Sequence, residues 1–414
     1  MIKLNNVALP DGRREDIVLE PKAPGLFIFD QHLPARSEAE LDASHLLKLP
    51  GLIDPHVHFR TPGQEYKENW ESGSLAAIRG GYTTVFDMPN THPSTITVER
   101  LAAKKALIAS QLGEAQIPLR YQLFFGADKR HFNELARLAP KDVVGIKVFM
   151  GSSTGELLMD DDSSLHALFA LAGHFNFLVA VHAEDEAMIA AQKALFTKCT
   201  SHHVHSQIRT PEVAARAVKK AIDLARLYQV RLYILHVSSI PELELIQAAK
   251  AEGLPVYAET CPHYLFLTTE TYLHLQGRAQ MNPALRDPKH QAALWKALNS
   301  GLIDTIGSDH APHTLEEKAH TYDCCPSGVP GIETTLPLLY TACTEGRLSL
   351  SRLVQLTHTQ PRQIFEVQEL QDFVLIDTAR KRHVVGADLA TRVKWSPYEG
   401  MELTGWPIAV QFQI

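Results

Sequence analysis

Short apolar runs alternate with amphipathic segments from about residue 50 to residue 342. Eight runs rich in aliphatic and β-branched residues predict strands at residues 51–59, 83–88, 119–126, 143–150, 177–182, 231–237, 255–260 and 303–308. Between them, helical spacing of apolar positions predicts helices, among them residues 70–79, 98–109, 165–172, 211–227 and 241–252. This alternation is typical of a parallel sheet with crossover helices, and eight units predict a closed (β/α)8 TIM barrel. An open doubly wound sheet is the alternative, but it would not bring all the strand ends around one opening.

The two ends of the chain have a different pattern. Short alternating segments precede the barrel at residues 16–20 and 25–29. A helical stretch at residues 349–365 is followed by further strand-like segments at residues 373–377 and 392–395. We expect both ends to pair into a small β-sandwich beside the barrel. The predicted division is residues 1–49 for the N-terminal part of the sandwich, 50–365 for the barrel and 366–414 for the C-terminal part.

Composition narrows the class of protein. Hydrophobic residues make up 45% and charged residues 21% of the chain, as in soluble globular proteins. A net charge of −7 argues against a nucleic acid or an anionic membrane as partner and leaves a small-molecule substrate. No apolar run is long enough to span a bilayer. The five cysteines form no C-x-x-C pair, and their odd number indicates a reducing, cytoplasmic location, with adjacent Cys324 and Cys325 as chance neighbours.

Six side chains that bind metals or react lie at or near the C-terminal ends of predicted strands: His56, His58, Lys147, His182, His236 and Asp309. In a TIM barrel these ends meet at one face, where catalytic groups are assembled. His56 and His58 are two positions apart on a strand, so their side chains point to the same side. Imidazole and carboxylate ligands without a thiolate cluster indicate a hydrolytic metal centre.

Two of these residues have competing interpretations. Lys147 lies in an otherwise apolar strand, where burial would lower its pKa and leave an amine able to form a carbamate with carbon dioxide. The alternative is a lysine that extends to the barrel rim. Asp309 is placed to bind a metal and accept a proton, although an aspartate after a strand often caps a helix or turn. The histidines of residues 201–205 are interpreted as part of a solvated loop rather than a second metal site.

The motifs together resemble the amidohydrolase superfamily and, within it, the dihydroorotases. The matching segments are residues 50–63, 80–91, 147–155, 181–184, 236–239, 259–264, 281–286, 307–313 and 396–400. The resemblance implies two divalent ions, expected to be Zn²⁺, held by the six residues above, with a CO₂-derived carbamate on Lys147 and Asp309 as the catalytic proton carrier. It further implies reversible hydrolysis of dihydroorotate to N-carbamoyl-aspartate in pyrimidine biosynthesis, and a homodimer.

Substrate contacts are expected at other positions. The resemblance implies that Arg60, Asn90 and His313 surround the substrate carboxylate, while Asn282 and the backbone near residues 328–331 hold the ring. A guanidinium suits a carboxylate and an amide suits a cyclic amide, although a surface ion pair and turn residues are the structural alternatives. Other cyclic amidases, an allantoinase or a dihydropyrimidinase, are the nearest rivals, and their substrates lack the ring carboxylate. A non-catalytic homologue should have lost metal ligands, and this chain keeps all six.

Overall fold

A computed structural model describes residues 1–21, 23–29, 39–151, 157–197 and 199–413. Residues 152–155, the end of one motif above, lie outside that part of the chain. The strands, in chain order, are β1 (Ile2–Ala8), β2 (Arg14–Leu19), β3 (Leu26–Ile28), β4 (Ala39–Asp42), β5 (Leu46–Pro50), β6 (Leu52–Val57), β7 (Tyr82–Asp87), β8 (Arg120–Gly126), β9 (Gly145–Phe149), β10 (Val179–His182), β11 (Leu232–Ile234), β12 (Val256–Thr260), β13 (Thr305–Ile306), β14 (Phe373–Asp377), β15 (Arg382–His383), β16 (Glu402–Leu403) and β17 (Pro407–Gln411).

Strands β6 to β13 form one eight-stranded sheet whose spatial order follows the chain. All neighbouring pairs in it are parallel. The segment after β13 returns to β6, because the His58 backbone N–H donates to the His310 carbonyl at 2.8 Å and Val57 bridges the same residue. The predicted TIM barrel is therefore confirmed. Most residues of these strands are buried, and this explains why they appear in the sequence as nearly continuous apolar runs.

Helices connect the barrel strands and pack around the barrel. They are α1 (Trp70–Arg79), α2 (Val98–Ala115), α3 (Phe132–Leu135), α4 (Asp162–Phe175), α5 (Glu186–Leu195), α6 (Val204–Ile208), α7 (Pro211–Tyr228), α8 (Ile240–Ala251), α9 (Pro262–Phe266), α10 (Tyr272–Leu275), α11 (Pro288–Ser300), α12 (Leu315–Lys318), α13 (Ile332–Thr344), α14 (Leu350–Val354) and α15 (Gln360–Ile364), the last two joined by a π-helical turn. Local sequence sets their ends: the Asn69 side chain accepts from the Ser72 N–H to start α1, and Asn176 ends α4 with φ of 59°. No described helix is long and apolar enough to cross a membrane.

The two ends of the chain meet in a separate sheet of seven strands. Its order is β2-β1-β5-β14-β17-β3, with β4 beside β1. The antiparallel pair of β5 and β14 joins the N-terminal and C-terminal segments, as expected, and a small apolar core that includes Ile2, Leu4 and Leu375 lies under the sheet. The barrel with an appended β-domain is thus the observed fold, while the residue boundaries of the domains remain a prediction.

The strand predicted at residues 392–395 is wrong. Lys394 has a φ of 54°, a left-handed conformation that an extended strand does not contain. The Arg392 N–H donates to the Glu68 carboxylate, and the Trp395 indole N–H donates to the His313 carbonyl at 2.7 Å. The alternating pattern therefore reflects a turn that packs its tryptophan against the barrel opening, since tertiary contacts outweigh local strand preference here.

Candidate active site

A cavity of about 360 Å³ opens at the C-terminal ends of the barrel strands. All ten predicted site residues line it, namely His56, His58, Arg60, Asn90, Lys147, His182, His236, Asn282, Asp309 and His313. The strand ends and the loops that follow them supply these residues, as expected for a barrel of this kind. The sequence prediction thus identified residues that the fold brings together from positions 56 to 313.

Three potential metal ligands face one another in the cavity: His56, His58 and Asp309. The His56 Nδ1 lies 2.8 Å from Glu259 Oε1, and the His58 Nδ1 lies 2.8 Å from Asn90 Oδ1. When each Nδ1 donates its proton there, each Nε2 presents a lone pair. These two Nε2 atoms are 3.2 Å apart and lie 3.3 Å and 3.1 Å from Asp309 Oδ1. The lone pairs of these three ligand atoms lie close together with no proton between them, and this arrangement fits a bound cation.

His182 and His236 form a second set of potential metal ligands beside the first. His182 Nε2 is 2.8 Å from the Glu184 carboxylate, so its proton is held there and Nδ1 is left as a lone pair. That Nδ1 lies 2.9 Å from the Nε2 of His236. Burial lowers the pKa of His236 well below its ordinary value and also lowers the pKa of His182. Both rings are therefore neutral, the form in which imidazole binds metals.

Lys147 occupies the middle of β9 and is 1% exposed. Its Nζ lies 4.6 Å from the centre of the Phe149 ring. Burial lowers the pKa of Lys147 to about 7, so a large fraction of the amine is unprotonated at neutral pH. The lysine does not reach the rim as the alternative interpretation required.

Glu259, at the end of β12, is a functional candidate that was not assigned from the sequence. Its side chain is fully buried, accepts from the Tyr233 hydroxyl at 2.9 Å and contacts His56 Nδ1. Burial raises the pKa of Glu259 to about 8, and positive charge in front of His56 would favour its ionised form. A carboxylate in an otherwise apolar strand is the signal that could have identified it.

Three residues that line the cavity have a strained backbone. Arg60, His236 and Asp309 have φ angles of 59°, 42° and 45°, in the left-handed region that residues with a side chain rarely adopt. Each such conformation costs on the order of 1–3 kcal/mol and persists only where surrounding contacts impose it. Its occurrence at three residues that line one cavity supports a functional role for that cavity.

Positive groups line another part of the same cavity. Arg60 is 8% exposed, its Nε donates to the Pro312 carbonyl at 3.1 Å, and burial lowers its pKa to about 10. Within the described residues it forms no ion pair with a carboxylate, which rules out the surface ion pair. Lys67, which was not predicted, pairs with Glu317 at 2.9 Å and lines the same cavity.

The His313 ring connects these groups. The Lys67 ammonium donates to its Nδ1 at 3.0 Å, so the ring proton is on Nε2, and burial lowers the pKa of His313 well below its ordinary value. That Nε2 lies 3.1 Å from Nη2 of Arg60 and 3.1 Å from the Ser327 carbonyl oxygen. The Arg60 guanidinium and the His313 Nε2–H thus converge as two hydrogen-bond donors, with the Ser327 carbonyl as an acceptor. This excess of donors suits an anionic ligand.

The prediction of a solvated loop at residues 201–205 is wrong. His202 and His205 are buried, His205 in the first turn of α6 and His202 just before that helix. His205 Nε2 lies 2.9 Å from the Met281 carbonyl and 3.0 Å from Oδ1 of Asn282. The polar composition suggested exposure, but hydrogen bonds to residues more than seventy positions away satisfy these rings. His205 thus contacts Asn282, a predicted substrate contact, from outside the cavity lining.

A further group of potential metal ligands adjoins the site. Cys261, His263 and Asp309 have ligand atoms within 4.8 Å of one another, and Asp309 is shared with the first histidine pair. All five cysteines, including the adjacent Cys324 and Cys325, are free.

Comparison with known proteins gives two kinds of similarity. Residues 47–368 match the amidohydrolase family. The dihydroorotase of Halobacterium salinarum is 34% identical over 407 residues, covering 96% of this chain and 92% of the relative. That of Bacillus subtilis is 32% identical over 390 residues, covering 90% and 87%. Among solved structures, L-hydantoinase (dihydropyrimidinase) from Arthrobacter aurescens is similar with a TM-score of 0.88 and 27% identity, covering 99% of this chain and 94% of that one.

Proposed function

We propose that this chain, which belongs to the amidohydrolase family and is a metal-dependent hydrolase, catalyses the reversible hydrolysis of dihydroorotate to N-carbamoyl-aspartate. The observation that carries the choice of substrate is Arg60, a buried guanidinium that lines the cavity and pairs with no carboxylate of the described residues. A buried cation needs a partner, and a ring carboxylate would supply one. The dihydroorotase relatives support the same assignment.

Other cyclic amidases remain the second candidate, because the hydantoinase fold is so similar. Hydantoin, dihydropyrimidines and allantoin carry no ring carboxylate, so Arg60 would stay unpaired with any of them. A non-catalytic role is disfavoured, because all six candidate ligands line one cavity. A place in pyrimidine biosynthesis, a cytoplasmic location in keeping with the five free cysteines, and a homodimer belong to the proposal.

The metal centre would be held by two sets of residues. His56, His58 and Asp309 form one, and His182 with His236 forms the other. Zn²⁺ is the expected ion, because neutral imidazole with carboxylate is a donor set that it prefers. Lys147 would join the sets as a carbamate: its unprotonated amine adds to carbon dioxide, the new N–C bond forms, and one proton is released to solvent. The carbamate provides two oxygen ligands.

Each side chain then has a defined task in ring opening. Two divalent ions, when bound, lower the pKa of water and polarise the ring carbonyl. Asp309 accepts the proton of the attacking water and returns it to the ring nitrogen as the C–N bond breaks. Arg60, Asn90 and His313 bind the carboxylate, and Asn282 contacts the ring. Binding the carboxylate away from the bond that breaks fixes the orientation of the carbonyl.

The test compares four substrates with zinc-loaded protein. Values of kcat/KM are measured for dihydroorotate, dihydrouracil, hydantoin and allantoin. A charge-assisted contact of about 1.5–3 kcal/mol predicts a preference of roughly ten- to a hundredfold for dihydroorotate. Equal or faster turnover of a substrate without a carboxylate would contradict the proposal and favour the corresponding cyclic amidase.

A further inference from the structure

Lys318, at the end of α12, is a buried cation with no assigned role. It is 2% exposed, and its Nζ donates to three backbone carbonyls, those of Gln280 at 2.9 Å, Pro326 at 2.8 Å and Gly328 at 3.0 Å. An ammonium has three protons to donate, so these carbonyls use all of them. Burying a lysine is costly, and burial lowers the pKa of Lys318 to about 7. Packing alone therefore does not explain why a lysine occupies this buried position.

The three carbonyls belong to two separate walls of the cavity. Gln280 lies two residues before Asn282, while residues 326–328 line another part of the cavity and include Ser327, whose carbonyl contacts His313. The walls are joined further by the Gly328 N–H, which donates to the Gln280 carbonyl at 3.0 Å. The Gln280 side-chain amide also donates to the Cys325 carbonyl at 2.7 Å. Lys318 is the point at which these connections converge.

We propose that Lys318 is a positioning residue for substrate binding, which ties residues 326–328 to Gln280 and so sets the distance between the loop and Asn282. This inference rests on the proposed function for the identity of the substrate, not for the geometry. Lys318 does not line the cavity, and it acts through the backbone it holds. Its hydrogen bonds go to three backbone carbonyls and to none of the candidate metal ligands, so metal binding should not depend on it.

The short helix α12 also links Lys318 to the residues proposed to bind the substrate carboxylate. α12 follows directly on His313, and the Thr314 side chain accepts from the Glu317 N–H at its start. Glu317 binds Lys67 beside the cavity, while Lys318, the next residue, binds the loop. A shift of α12 would therefore move both the loop and the partner of His313.

The experiment compares Lys318→Met with wild type and with Lys250→Met. Methionine keeps the length and apolar stem of lysine but donates no hydrogen bond. Lys250 is a matched control, because its Nζ donates to the Leu302 carbonyl at 2.9 Å and pairs with Asp304, outside the cavity. If the displaced loop costs the substrate one charge-assisted contact, KM for dihydroorotate should rise roughly tenfold or more in Lys318→Met. We expect kcat to change by less than about threefold, with unchanged zinc content.

The control separates positioning from general stability. Lys250→Met should lower Tm without changing KM, and Lys318→Met should change KM at temperatures well below its Tm. An unchanged KM in folded Lys318→Met would overturn the inference. If that variant does not fold, Lys318→Gln, whose amide cannot donate to all three carbonyls, should raise KM in the same way, and an unchanged KM there would overturn the inference.

Failure of the proposed function gives a different result. Wild-type protein would then turn over hydantoin, dihydrouracil or allantoin but not dihydroorotate. The same variants would be compared on that substrate, where a rise in KM with constant zinc content supports the positioning role and an unchanged KM refutes it.

Discussion

Replacing Glu259, whose carboxylate is ionised when a cation is bound in front of His56, should weaken metal binding and have little effect on folding. Glu259 Oε1 lies 2.8 Å from His56 Nδ1, and both side chains are at most 1% exposed. Tyr233 donates to Oε2 at 2.9 Å and its hydroxyl also contacts Thr305 Oγ1 at 2.6 Å. A Glu259→Gln side chain fits the same space: its oxygen can face His56 while its amide group faces Tyr233. The substitution therefore removes charge and retains shape.

The magnitude follows from the type of hydrogen bond. A charge-assisted bond contributes about 1.5–3 kcal/mol and a neutral one about 0.5–1.5 kcal/mol, so Glu259→Gln should cost about 1–1.5 kcal/mol. That corresponds to a roughly five- to tenfold weaker affinity for the ion at His56. Glu259→Ala also loses the fixed ring orientation and should approach the upper end of the usual 10–100-fold range for residues behind a metal ligand.

The assay is competition for Zn²⁺ with a chromophoric chelator, together with Tm measured with and without zinc. Weaker binding should reduce the stabilisation by zinc, since that stabilisation depends on the ratio of free metal to Kd. Glu333→Gln is the control: Glu333 is also buried, accepts from the Ala390 N–H at 2.6 Å and pairs with Arg79, away from the cavity. It should lower Tm and leave zinc affinity unchanged. Wild-type zinc affinity in both Glu259 variants would refute the reasoning.

Three further substitutions address the catalytic groups. Lys147→Ala removes the proposed carbamate, so zinc occupancy and activity should fall together, and short carboxylic acids should restore part of the activity; full zinc content with full activity would exclude the carbamate. Arg60→Lys keeps the charge but loses the two-pronged donor, so kcat/KM for dihydroorotate should fall roughly ten- to a hundredfold with zinc content unchanged. Asp309→Asn cannot carry the proton and should abolish both directions of the reaction, assayed by dihydroorotate absorbance from each side, whereas loss of one direction alone would contradict the assignment. Because ring closure consumes a proton, the wild-type equilibrium ratio of open to closed forms should rise about tenfold per pH unit.

The barrel could be predicted from the sequence because its strands are short, buried and regularly spaced. Runs such as residues 177–182 are apolar up to their last residue, His182, and the polar residue marks both the strand end and the site. Lys147 could be identified for a related reason, since a lysine in an apolar strand is chemically out of place. Residues that are unusual for their surroundings are visible in a single sequence.

Residues that act by holding others are not visible in this way. Glu259 and His56 are 203 positions apart, and His205 and Asn282 are 77 apart. Nothing in the local sequence around His205 distinguishes a buried ring with two partners from a solvated one, so its polar neighbours led to the wrong interpretation. The same applies to residues 392–395, where the contact of Trp395 with the His313 carbonyl decides the conformation.

This difference bears on how substrate choice is encoded. The barrel and its histidines follow from strand patterns, and the whole fold is similar to a hydantoinase with a TM-score of 0.88. A feature shared so widely cannot by itself distinguish one cyclic amide from another. Three features instead lie in segments that follow β6 and β13: Arg60, which has no carboxylate partner among the described residues, the Lys67–His313 contact, and the loop held by Lys318. These segments can change without disturbing the barrel, so the choice between a substrate with and without a carboxylate depends on how they are anchored.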